Sequence, residues 1–213
     1  MKSNEKELIL ISDKYRKYIV SMKLFNENKY FIWGSDLLEK EEDKFLLDPK
    51  GNIITSPNLH LFLSSLLESN KDVNLFDINN LLNWKKEVQH ILTKFKNGYS
   101  GYAKYDLDIL LKYFIANDKI NIHLLSFKIL KEYVGFINFV DDFANQTNDS
   151  KLLKLTHERN LRFLWNYVYD NYIWKNKLKN ENKLIKNAAF NEKNFRKKFI
   201  EIFIRFNNKL KIL

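Results

Sequence analysis

The stretch from Lys29 to Pro57, KYFIWGSDLLEKEEDKFLLDPKGNIITSP, constrains the fold most. It reads as a β-meander, whereas nearly everything after it carries helical periodicity. Tyr30 to Trp33 form a compact aromatic and β-branched run that Gly34 and Ser35 end, the composition of a half-buried strand. Phe45 to Leu47 make a second short apolar run. Asp48-Pro49-Lys50-Gly51 then supplies turn chemistry, because proline presets one backbone angle and glycine accepts a positive one. Asn52 to Thr55 is expected to pair back as a third strand, and Ser56 before Pro57 predicts a helix start with the serine as cap.

Upstream, the run from Tyr15 to Phe25 alternates, with Tyr18, Val20, Met22 and Leu24 on one face, and predicts a further strand ending in a turn at Asn26–Lys29. Residues 1–12 are a short helix or a lead-in. Downstream, apolar residues recur at helical spacing in five segments: about 57–69, 77–95, 106–117, 122–144 and 150–179. The helix from about 122 is apolar nearly all round, as a central helix is. A last helix, from about Glu192 to Leu213, sets Phe195, Phe199, Ile202, Phe203 and Phe206 in register beneath a basic face. The expected fold class is α+β, a small N-terminal antiparallel sheet of about four strands followed by a mostly helical region. It is read as one domain over 1–213, with the meander at about 15–56 and the helical region at about 57–213. The helix after Pro57 is the expected cover for the sheet.

A content of 45% hydrophobic and 15% aromatic residues is ample for a packed core. The absence of cysteine removes disulfide and thiolate-metal chemistry and fits a reducing compartment. The N-terminal residues are charged throughout and predict no secretion signal. The longest apolar region, His123 to Val140, contains Lys128, Lys131 and Glu132, whereas a membrane-spanning helix needs ~20 nearly uncharged residues. No membrane partner is expected.

No catalytic constellation is legible. His60, His90, His123 and His157 stand far apart in sequence, so no metal site is expected, and no nucleophile motif accompanies them. With only 5 glycines there is neither a dinucleotide nor a phosphate-loop pattern, so no cofactor is expected and the chain reads as a non-enzyme. The net charge of +10 is concentrated at one end, since residues 151–213 hold 16 Lys+Arg against 5 Asp+Glu while the rest is nearly balanced. That asymmetry supports a nucleic-acid-binding alternative using the last two helices, with Arg159, Arg162, Arg196, Lys197, Lys198 and Arg205 on phosphates. The opposite sign gathers between two strands, where Asp36, Glu39, Glu41, Glu42 and Asp43 form an acidic run. Such a run suits a basic protein partner.

The order KYIVSMKLFNENKYFIWGSD, then FLLDPKGNIITSP, then a helix resembles bacterial immunity proteins of contact-dependent growth-inhibition and other polymorphic toxin systems. The resemblance covers about the first 70 residues and rests on the hairpin ending in Trp33-Gly34-Ser35-Asp36 and on the D-x-x-G-x-I turn at Asp48–Ile53. It implies a small cytoplasmic protein without catalysis that binds a cognate toxin protein tightly, the C-terminal toxin domain of a large exported protein, and blocks its active site. Aromatic residues and charges beside them dominate protein interfaces, which makes Trp33, Asp36, Glu39, Glu41, Glu42 and Asp43 the candidate partner-binding residues.

Overall fold

The structure is a computed structural model and describes residues 3–35, 43–66, 77–95, 99, 101–116, 120, 125–174 and 190–213. The fold is α+β, a mostly antiparallel N-terminal sheet of four strands followed by a helical region. Sequence alone draws no boundary inside 1–213. In the structure the chain forms two compact units, one of residues 1–105 and 208–213 and the other of residues 106–207. The second is therefore an insertion in the first.

The first unit opens with a helix, α1 (Ser3–Tyr15), followed by β1 (Lys17–Leu24), β2 (Glu27–Ser35), β3 (Asp43–Phe45) and β4 (Ile53–Thr55). Two helices come next, α2 (Leu59–Ser65) and α3 (Ile78–Leu92), then β5 (Ala103–Asp106). The sheet order is β3-β2-β1-β5. The fourth strand is thus β5, whose apolar–polar alternation is only 4 residues long, and not the Asn52–Thr55 segment. That segment touches the meander through single bridges, Leu47 to Ile53 and Tyr30 to Ser56. It forms a separate parallel pair with β6 (Leu210–Ile212).

The β1–β2 hairpin turns two residues earlier than expected. Leu24 pairs with Glu27, and Phe25 and Asn26 make the turn with φ of 53° and 62°. Left-handed backbone at both central residues is the turn whose twist matches a hairpin. Along β1 and β2, Ile19 faces Ile32 on one side of the sheet, and the next pair, Val20 and Phe31, faces the other. The Ile19–Ile32 side packs with Leu8 of α1, Phe62 and Leu63 of α2, and Trp84 and Val88 of α3. Three helices cover this face, not one.

Helix starts follow their caps. Asp77 caps α3 as expected, its carboxylate accepting from the Asn79 and Asn80 amides at 3.0 and 3.3 Å. For α2 the cap is Asn58, which accepts from the His60 and Leu61 amides at 3.0 and 3.1 Å. Ser56 is committed to its bridge with Tyr30, so the helix begins two residues beyond the expected Ser56-Pro57 start.

The second unit contains α4 (Leu107–Leu110) running into a π-helical turn (Leu111–Ala116), α5 (Phe127–Gln146), α6 (Ser150–Thr156), α7 (Arg159–Val168) with a second π-helical turn (Tyr169–Ile173), and α8 (Glu192–Asn207). The helix expected from 150 to 179 is broken at His157–Glu158. Glu158 caps α7 by accepting from the Asn160 amide at 2.8 Å, and the Thr156 hydroxyl turns back to the Leu153 carbonyl at 3.0 Å. Aromatic rings fill the core. Phe114 meets Tyr133, Phe195 and Phe199 edge-on at 5.1–5.6 Å, and Phe136 meets Phe199 and Phe206. The register read for α8 holds, with Phe195, Phe199, Ile202, Phe203 and Phe206 all buried. The helix stops at Asn207, though, and residues 210–212 leave it to form β6.

Candidate functional site

Two motifs that support the family resemblance have a structural role. Gly34 lies where an added Cβ would stand 2.0 Å from the Arg16 carbonyl oxygen, and the Ser35 amide donates to that oxygen at 3.1 Å. Lys17 is fully buried beside it, its ammonium donating to the Ser35 and Tyr15 carbonyls. Only glycine allows β2 this close to the joint between α1 and β1. In the Asp48–Ile53 turn, Asp48 accepts from the Lys50 and Asn52 amides at 2.9 and 2.8 Å, while Gly51 takes a φ of 76°. Lys211 of β6 reaches the same carboxylate at 3.2 Å. Burial pushes the Asp48 carboxyl up, but the hydrogen bonds from Asn52, Lys211 and Lys50 outweigh it and hold the group below the usual range.

At the end of β2, Trp33 pairs in register with Phe45, and its ring lies 6.0 Å from Tyr18, which in turn lies 4.5 Å from Tyr102. Trp33 and Tyr18 are half-buried and Tyr102 is exposed. The Tyr18 hydroxyl donates to Asp13 at 2.9 Å. Burial, aided by that hydrogen bond and by the Asp13 charge, raises its pKa to about 12. Asp43 pairs with Ser35 across the two strands, and the Ser35 hydroxyl donates to its carboxylate at 3.2 Å. Loss of hydration around the charged form pushes the Asp43 carboxyl up, against the opposing pull of that hydrogen bond. The acidic run is therefore strung between two hydrogen-bonded strand ends, with Trp33 two residues from one of them. Asp36, Glu39, Glu41 and Glu42 lie outside the described residues.

The six basic candidates do not form one open field. Arg162 is ion-paired with Asp141, stands 3.1 Å from the His157 ring and packs 5.1 Å from the Trp165 ring. Arg196 pairs with Glu192 at 3.0 Å and donates to the Ile115 carbonyl, and Glu201 takes both Lys198 at 3.1 Å and Arg205 at 3.7 Å. Arg159 and Lys197 are exposed. Consecutive residues on a helix diverge by ~100°, so Arg196, Lys197 and Lys198 face three directions. Five lysines between 175 and 189 lie outside the described residues. Among the described residues, no group of three or more His, Cys, Asp and Glu side chains could hold a metal ion, and no helix is long and apolar enough to cross a membrane.

Sequence periodicity misses one surface. In the second unit the π-helical turn brings together residues five apart, with Tyr167 and Tyr172 at 6.1 Å and Tyr169 and Trp174 at 6.5 Å. The Trp174 amide donates to the Tyr169 carbonyl at 2.8 Å, the five-residue closure of a π turn. Tyr169 also stacks on Trp165 at 3.9 Å, and Tyr172 stacks on Phe127 at the start of α5 at 5.4 Å. In an α-helix, positions five apart diverge by ~140°, so this clustering is invisible to a search at 3.6 residues per turn. The recoverable signal is the repeated aromatic spacing of five in Tyr167/Tyr172 and Tyr169/Trp174.

No family model and no curated protein matches this chain. Among solved structures, the crystal structure of the SatS C-terminal domain in complex with bromine is similar, with a TM-score of 0.63 and 13% identity. The match covers 95% of this chain and 96% of that one. At that identity the likeness is one of fold.

Proposed function

We propose that this chain is an immunity protein that binds a cognate toxin domain in the cytoplasm and neutralises it by tight association, without catalysis of its own. The reading is carried by the two strand ends that flank the acidic connection, which are tied by the Ser35–Asp43 pair beside the Trp33, Tyr18 and Tyr102 rings. Aromatic anchors rimmed by charge are the usual seat of interface energy. Carboxylates on such a loop would steer a basic toxin toward it, with the rings supplying the apolar contact.

The experiment is capture of the tagged chain from cells expressing its chromosomal neighbourhood, with and without nuclease. The expected result is a stoichiometric protein partner that survives nuclease and is weakened by the combined charge reversal Asp36→Lys, Glu39→Lys, Glu41→Lys and Glu42→Lys. Retention of that partner by the reversed variant would remove the loop from the interface. Recovery of nucleic acid alone, lost on nuclease treatment, would replace this reading by one centred on the basic helices.

A further inference from the structure

No local signal ends α8. Helices commonly stop at a residue in left-handed backbone, usually glycine or asparagine, or shortly before a proline. Asn207, Asn208 and Lys209 take no positive φ, and both prolines of the chain, Pro49 and Pro57, lie far upstream. The apolar stripe of α8 also runs past its observed end. Leu210 and Leu213 stand four and seven positions after Phe206, which on a helix at ~100° per residue puts both within ~40° of it. Lys209 and Lys211 would then lie in a last turn, where the helix dipole favours cations.

What draws the chain out of the helix is β4. The Ile53 amide donates to the Lys209 carbonyl at 2.7 Å, and the Leu213 amide donates to the Thr55 carbonyl at 2.9 Å. The Thr55 hydroxyl donates to the Lys211 carbonyl at 3.1 Å, and the Lys211 ammonium reaches Asp48 at 3.2 Å. These contacts are polar and span three residues. Ile212 and Leu213 stay 53 and 46% exposed, so little apolar burial holds the strand in place. Local pattern and tertiary capture therefore compete for the same six residues.

We propose that residues 208–213 form a two-state strap, held as β6 on β4 in the major state and continuing α8 in a minor one. The exchange opens the β4 edge, whose Ile53 amide loses its acceptor on Lys209. Such minor states are commonly populated at about 0.1–10%. The strap is separate from the Trp33–Asp43 strand ends and does not depend on the immunity reading.

The test is chemical-exchange saturation transfer on the full chain labelled with carbon-13, read at the Cα atoms of Leu210, Lys211, Ile212 and Leu213. A minor state with helical shifts at these four residues is expected. Asn208 is exposed, so its variants bias the strap without touching a core. Asn208→Ala should raise the minor population about threefold and Asn208→Gly should lower it about twofold, following their helix propensities. Lys211→Gln removes the ion pair with Asp48 and should raise the population about threefold. Hydrogen exchange at the Ile53 amide should quicken in step with the population across all three variants. A minor state with coil shifts would reduce the strap to a fraying end and overturn the proposal. So would the absence of a minor state in both the wild type and Asn208→Ala, or equal populations in Asn208→Ala and Asn208→Gly.

Discussion

The two units of this chain are held together by different means. The first adds to its apolar core a few single polar and steric locks: Gly34 against Arg16, Lys17 on two carbonyls, and Asp48 on its own turn and on Lys211. The second depends on many interchangeable contacts among rings, in which Phe199 alone meets Phe114, Tyr133, Phe136 and Phe195. A lock is specific and has no substitute when lost. A ring cluster spreads its energy and tolerates any change that conserves volume.

Substitutions can break or sharpen that contrast. The largest effect is expected from Phe199→Ala, which should destabilise the fold by about 3–5 kcal/mol in chemical denaturation, while Phe199→Leu recovers most of the loss. Failure of leucine to rescue would make the ring cluster as specific as a lock. Gly34→Ala should cost about 3 kcal/mol even though it adds only a methyl group, because its Cβ meets backbone that cannot rotate away. A loss under about 1 kcal/mol would show that β2 can shift off the joint.

Asp48→Asn should cost about 2 kcal/mol near neutral pH. The folded-state pKa of Asp48 is lowered, so its contribution is present above the unfolded carboxylate pKa of about 3.9 and is lost as pH falls through the folded value. The gap between wild type and variant should therefore close in acid, and a gap constant from neutral pH down to ~2 would assign the effect to packing. The smallest effect is a gain. Phe25 holds a left-handed backbone at the tip of the hairpin while 61% exposed, so Phe25→Asn should stabilise by about 0.5–1 kcal/mol, read as a raised melting temperature. No gain would mean that the ring is worth its strained backbone.

The parts legible in the sequence are those whose physics is local. Asp77 as a cap, Gly51 as a left-handed turn residue, the apolar α5 and the phenylalanine register of α8 depend on neighbours within a few positions, and all four stand. Ala103–Asp106 alternates apolar and polar residues, but over a run of only 4, and its place beside β1 is set by residues distant in sequence. Leu210–Ile212 continues an amphipathic pattern that reads as helix until β4 captures it. For the candidate site, Trp33 and Asp43 fall where a hairpin end was expected, and the tyrosines beside Trp33 come from strands that only the register reveals. The π-helical surface was missed because its period belongs to neither regular element.

The parallel pairing of β4 with β6 has a temporal consequence. Thr55 and Lys211 bond across 156 residues of chain. At ~5–20 residues per second a ribosome needs roughly 10–30 s to synthesise that interval. Throughout it the nascent chain displays β4 without its partner, an open strand edge of the kind that invites pairing with other chains. The second unit can close its local helical contacts in that time, but the first cannot be completed until residues 210–212 emerge. Truncation at Asn207 should therefore leave the first unit, rather than the second, prone to aggregation.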